Sequence, residues 1–147
     1  MNEKWDMRFL KLANHISQWS KDPSTKVGSV ITKGKIVVSV GFNGFAKGVS
    51  DDPKRYDDRN YKYKTIIHAE ENAIISASQG LKNCSMYVTA PPCSSCASKI
   101  IQTKIKRVVT FYPTKDFLER WKEDLKITGD LFRSVGIHFV HYKEFPP

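Results

Sequence analysis

Two short segments, His68-Ala69-Glu70 and Pro92-Cys93-Ser94-Ser95-Cys96, limit how this chain can fold more than anything else in it. An imidazole and two closely spaced thiols are ligands of borderline and soft metals, and they act together only if the fold brings both segments to one point. Hydrophobic periodicity shows how it can do so. Ile67 to Gln79 reads as a helix with Ala69, Ala73, Ile74 and Ala77 inward and Gly80 ending it. Cys84 to Thr89 reads as a strand, Ala90-Pro91-Pro92 as a forced break, and Ser94 to Gln102 as another helix. Both segments therefore fall at helix N-termini, whose positive dipole ends favour ionised cysteines.

The remaining pattern supplies a scaffold. Trp5, Phe9, Leu12, Ala13, Ile16 and Trp19 recur at helical spacing, predicting an amphipathic helix over Glu3 to Ser20. Val27 to Thr32 and Ile36 to Val40 are β-branched runs joined at Lys33-Gly34-Lys35, a hairpin. A loop is expected from Gly41 to about Lys64, ordered by Tyr56, Tyr61 and Tyr63. Arg107 to Phe111 reads as a fourth strand, Asp116 to Lys126 and Thr128 to Val135 as two helical pieces, and Ile137 to Tyr142 as the last strand. Strands alternating with helices predict an α/β sandwich, and a helical crossover makes the last two strands parallel.

With 147 residues the chain is expected to form one domain, 1–147, around one core. No apolar run approaches a membrane span, and Met1-Asn2-Glu3-Lys4 does not resemble a secretion signal, so a cytoplasmic protein is expected. The odd cysteine count (Cys84, Cys93, Cys96) argues against a disulfide framework. The net charge of +9 fits an anionic partner, but its lysines and arginines are scattered and equally describe a solvated surface.

Taken singly, His68 reads as a core histidine and Cys93/Cys96 as a redox pair or buried thiols. Taken together they read as a zinc site: three protein ligands leave a fourth tetrahedral position for water, the pattern of a catalytic centre. Zinc lowers the pKa of such a water toward neutrality. Glu70, two residues from His68, does not share its helix face and so is not expected to be a ligand. At the helix start it can instead exchange protons with the water, as a general acid and base.

This combination resembles the zinc-dependent cytidine and nucleotide deaminases, whose signature is H-x-E…P-C-x-x-C. The flanking segments Asp22-Pro23-Ser24-Thr25-Lys26-Val27-Gly28, Gly41-Phe42-Asn43-Gly44, Ser50-Asp51-Asp52 and His68-Ala69-Glu70-Glu71-Asn72-Ala73-Ile74 look like the deoxycytidylate deaminases over nearly the whole chain. The resemblance implies a three-layer αβα sandwich around a five-stranded mixed sheet. It implies hydrolysis of dCMP to dUMP and ammonia, supplying dUMP for thymidylate synthesis. It makes His68, Cys93 and Cys96 the ligands of one catalytic zinc ion per subunit and Glu70 the proton shuttle. The backbone amide of Ala69 would hold the pyrimidine carbonyl, and a carbonyl of the Thr89-Ala90-Pro91 turn would accept from the amino group.

Physical chemistry gives neighbouring residues matching tasks. Lys26 and Ser24 suit a 5′-phosphate, and Asn43 suits a deoxyribose hydroxyl; Lys26 reads equally as a solvated lysine, and Asn43-Gly44 as a tight turn. Arg107 and Lys115 are further cations near the end of the fourth strand. The resemblance also implies a homo-oligomer, a hexamer by preference, activated by dCTP (with Mg2+) and inhibited by dTTP through Gly41, Phe42, Asn43, Gly44, Gly48 and Asp51. Val49 stands where family members often have cysteine, so no second zinc is expected.

Two other readings use the same residues. The zinc centre could deaminate a base in nucleic acid, tRNA adenosine or single-stranded DNA cytosine, with the positive charge holding the backbone. The Asp-Pro-Ser-Thr-Lys and Ser-Asp-Asp segments favour a free nucleotide. A non-catalytic zinc-stapled binding module would instead close its site with a fourth Cys or His.

Overall fold

The computed structural model of the chain describes residues 2–143, so Met1 and residues 144–147 of the expected domain lie outside it. A five-stranded mixed sheet runs in the order β2-β1-β3-β4-β5. Its strands are β1 (Gly28–Lys33), β2 (Ile36–Phe42), β3 (Ser85–Val88), β4 (Arg107–Phe111) and β5 (His138–Tyr142). β1 pairs antiparallel with both β2 and β3, whereas β3 pairs parallel with β4 and β4 with β5, the last pair as the helical crossover predicts.

Strand alternation divides the core between the two faces of the sheet. Val30, Tyr87 and Val109 pack with Phe9, Leu10 and Ala13 of α1 (Glu3–Ser17). Ile31, Met86, Val88 and Val108 point the other way, to Ala73 of α4 (Ala69–Ser76), Ala97 and Ile100 of α5 (Ser94–Gln102), and Phe132 of α6 (Lys115–Val135). Together they make the expected three-layer αβα sandwich.

Several element boundaries differ from expectation. α1 stops at Ser17, where the Ser17 hydroxyl donates to the Asn14 carbonyl, and Trp19 lies beyond the helix, half exposed against the edge of Phe42. The expected loop from Gly41 contains two short helices, α2 (Pro53–Asp57) and α3 (Arg59–Thr65), capped by Asp52 and Asp58. Asp52-Pro53 was a readable start signal, a side-chain cap followed by proline at the first helical position. Phe45 packs on Tyr56 and Tyr61 at centroid distances of 4.5 and 5.7 Å, which orders this segment, whereas Tyr63 is exposed. The two expected C-terminal helices are one. Gly129, whose helix cost is about 1 kcal/mol relative to alanine, is carried through by packing on either side, and Gly136 ends α6 in the left-handed region at φ 76°.

Arg107 opens β4 instead of closing it, and its guanidinium is spent on Asp6 of α1 in two bonds of 2.6 Å. Asp6, fully buried, also accepts from the hydroxyls of Tyr87 and Tyr142. Burial alone would raise the Asp6 pKa. The bonds from Arg107, Tyr142 and Tyr87, with the charge of Arg107, outweigh it and hold the carboxyl below its usual range. The unfolded chain therefore binds this proton more readily than the folded one. The stabilisation is complete above a pH of about 4 and is lost as pH falls through the lower folded-state value. Asp6→Asn leaves Arg107 buried without its counter-charge. It should cost about 3–5 kcal/mol in urea unfolding at neutral pH and flatten the acid limb of the stability profile.

Candidate active site

Strand directions bring the segments that follow β2, β3 and β4 and precede β1 to one end of the sheet. β3 and β4 end there; β1 begins there, with the Thr89 amide donating to the Gly28 carbonyl; and β2 ends opposite Gly28 at Phe42. Gly44 and Ile67 then form an isolated bridge through two backbone bonds of 3.1 and 2.8 Å, which sets the residue before His68 against the loop of Asn43. This extended pairing is why the helix expected from Ile67 begins at Ala69.

His68 is the N-cap residue of α4, Cys93 is the N-cap of α5, and Cys96 lies in the first turn of α5. Their ligand atoms all fall within 4.8 Å of one another. His68 Nδ1 is 3.2 Å from Cys96 Sγ and 3.6 Å from Cys93 Sγ. Tetrahedral zinc with bonds of about 2.0–2.3 Å sets neighbouring ligands roughly 3.3–3.8 Å apart, so the donor set fits that ion in type and spacing. The three groups perturb one another's ionisation. The Cys93 thiol is brought down to about 4, first by its bond with Cys96 and then by His68; Cys96 is pushed up by the same bond and by burial. The bond to Cys93 raises His68 against the opposing effect of burial.

The two helices are tied together. Glu71 accepts from the His68 amide at 3.3 Å and from Lys99 Nζ of α5 at 2.7 Å. Beneath α4, Gly41 of β2 has no room for a side chain: a Cβ would lie 2.4 Å from both the Ala69 carbonyl oxygen and the Ala73 nitrogen. Glu70 is 5 % exposed and within electrostatic range of His68 and Cys93. Burial pushes its carboxyl up to about 7, against the pull of hydrogen bonding at its own backbone and of His68. Ala69 is fully buried, and its N–H, at the first position of α4, has no intrahelical acceptor. Ala90 lines a cavity of about 300 Å³ with Thr89, Pro91, Phe111 and Tyr112 at the ends of β3 and β4.

Asp22 organises the neighbouring loop. It accepts from the Ser24 and Thr25 amides at 3.0 and 3.2 Å and pairs with Lys62 at 2.8 Å. Lys62 also donates to Ser24 Oγ at 3.0 Å. Burial would raise Asp22, but Lys62 and the two amides hold it low. The Asn43 side chain is buried and joins this network, accepting from the Val27 amide at 2.9 Å and donating to the Thr25 carbonyl at 2.8 Å. One lone pair of its amide oxygen is left for a further donor. Lys26 is exposed. In the segment expected to bind effectors, Gly41 is buried under α4 and Phe42 is exposed. Gly48 is left-handed at φ 90°, and Asp51 pairs with Lys21 at the surface. Arg107 and Lys115 take no part: the first is buried with Asp6, and the second opens α6 in solvent.

Metal-ligand chemistry with an available fourth position and a buried carboxylate beside it is the arrangement of a metal-assisted hydrolytic enzyme. Residues 3–112 match the cytidine and deoxycytidylate deaminase zinc-binding region. The chain is 49% identical over 137 residues to an uncharacterized deaminase in the luxG 3′ region of Aliivibrio fischeri, covering 93% of this chain and 92% of that one. It is 45% identical over 152 residues to the deoxycytidylate deaminase of Mus musculus, covering 98% and 81%. The fold superposes on the crystal structure of the dCMP deaminase from cyanophage S-TIM5 in complex with dCMP and dUMP, with a TM-score of 0.73, 21% identity and coverage of 96% and 98%. This chain belongs to the cytidine and deoxycytidylate deaminase family. Among the described residues no helix is long and apolar enough to cross a membrane.

Gly41→Ala forces α4 away from β2. It should destabilise the fold by about 1–3 kcal/mol and lower the zinc bound per chain, measured by denaturation and by metal analysis. Gly80→Ala, where a Cβ meets nothing within 4 Å, should change neither.

Proposed function

We propose that this chain hydrolyses dCMP to dUMP and ammonia, in a single catalytic domain working in a cytoplasm and supplying dUMP for thymidylate synthesis. The observation that carries the proposal is the convergence of His68, Cys93 and Cys96 beside the buried Glu70. The extent of likeness to deoxycytidylate deaminases supports the choice of substrate.

His68, Cys93 and Cys96 would hold a zinc ion, which would supply a Lewis acid able to make water nucleophilic near neutral pH. Glu70 accepts a proton from the attacking water as the C4–O bond forms. It passes that proton to N3, then takes the second from the new hydroxyl and gives it to the amino nitrogen as the C4–N bond breaks, so that the C4 carbonyl forms and ammonia leaves. Burial suits the carboxyl to this exchange, because it weakens the preference for the ionised form. The Ala69 amide holds the pyrimidine carbonyl, and a carbonyl of the Thr89-Ala90-Pro91 turn orients the amino group. Asn43 offers its remaining lone pair to the 3′-hydroxyl, while Ser24 and Lys26 meet the 5′-phosphate. The same reading assigns dCTP with Mg2+ and dTTP to the Gly41–Asp51 segment of a homo-oligomer, a hexamer by preference.

Ammonia release from dCMP, deoxycytidine and single-stranded DNA tests the assignment: dCMP should be the preferred substrate, and turnover of the polynucleotide alone would overturn it. Adding dCTP with Mg2+ should raise the dCMP rate and dTTP should lower it; indifference to both removes the regulatory part. Glu70→Gln should keep zinc and lose about 10²–10⁴-fold in kcat, whereas a protein that only binds through a zinc staple would keep its function.

A further inference from the structure

The family match ends at residue 112, before α6 begins, yet two side chains of α6 hold the backbone on either side of Cys93. Asp124 accepts twice from Ser94, from the amide at 3.0 Å and from the hydroxyl at 2.6 Å. One turn further along α6, the hydroxyl of Thr128 donates to the Pro92 carbonyl at 2.9 Å, and Thr128 is fully buried. The residues before and after Cys93 are thereby both anchored to a helix that carries no metal ligand itself.

These contacts differ in kind from general packing. The Ser94 amide is one of the orphan donors at the start of α5, and the Pro92 carbonyl belongs to a proline-rich turn without a strand partner. Each is satisfied by a side chain from the same face of α6, spaced four residues apart. Cys96, by contrast, is set by the helix itself, and His68 is set by Glu71 and Lys99. Cys93 is the ligand whose position depends on α6.

We propose that Asp124 and Thr128 are positioning residues for the metal, a clamp that orients Cys93 and slows zinc loss; the inference rests on the zinc assignment made above. Groups that orient metal ligands in this way typically govern affinity by about 10–100-fold. Zinc transfer from the loaded protein to a chromogenic chelator gives a readout independent of turnover. Asp124→Ala should speed release by about 10–100-fold, and Thr128→Val, which removes the donor at nearly constant volume, should speed it about tenfold. Asp124→Asn, which keeps one acceptor and the side-chain size, should fall between wild type and Asp124→Ala, so the clamp can be tested even if the alanine variant folds poorly. Asp130→Asn, which removes an exposed α6 carboxylate paired with Arg133, should release zinc at the wild-type rate. In the cobalt-substituted protein, Asp124→Ala and Thr128→Val should also shift the sulfur-to-metal absorption bands. Release rates and cobalt spectra equal to wild type in Thr128→Val and Asp124→Asn would overturn the clamp alone. A wild-type protein that takes up no zinc would overturn the metal assignment, and the clamp with it.

Discussion

Two helices can begin side by side only where the backbone beneath them allows close approach. Gly41 allows it for α4, whose carbonyl and amide groups lie where any larger residue of β2 would place its Cβ. The start of α5 is fixed separately, by Asp124 and Thr128 of α6, which hold Ser94 and the Pro92 carbonyl. The ion pair of Glu71, in the first turn of α4, with Lys99, in the last turn of α5, then joins the two helices. Lys99 is half exposed, so its Coulombic contribution is screened; its value here is to set the register of two helix ends that must agree to within tenths of an ångström. The metal triad is a consequence of these contacts.

Polar groups that lie far apart in sequence are used twice in the same way. Asp6 gathers Arg107, Tyr87 and Tyr142 under α1, and Asp22 gathers Lys62, Asn43 and two amides beside the site. In each, a buried carboxylate has enough donors to stay ionised, so the charge specifies one arrangement of several segments. A chain with a net charge of +9 places two of its relatively few acids where they organise basic and hydroxyl partners internally. The excess positive charge therefore says less about a partner than its size implies.

Local signals and neighbouring strand pairings were legible in the sequence, and side-chain pairings between distant segments were not. α5 and β4 fall where periodicity puts them, because proline breaks and β-branched runs act within a few residues. His68, Cys93 and Cys96 were legible as a set because metal chemistry restricts residue type and spacing together. Lys62 was one scattered cation among many; nothing local joins it to Asp22, forty residues away. Asp124 and Thr128 were equally silent, since a carboxylate and a hydroxyl on a polar helix read as solvated until α5 is placed beside them. The same blindness split α6 between Lys126 and Thr128, where the structure has one continuous helix.

The bridge between Gly44 and Ile67 couples parts of the chain otherwise treated separately. Two backbone hydrogen bonds make the peptide before His68 and the peptide after Asn43 one short ribbon. A displacement of the Asn43 loop would be transmitted through rigid peptide planes to the residue before His68. In mechanical terms, the Asn43 loop and the His68 segment are hinged to one another through this bridge.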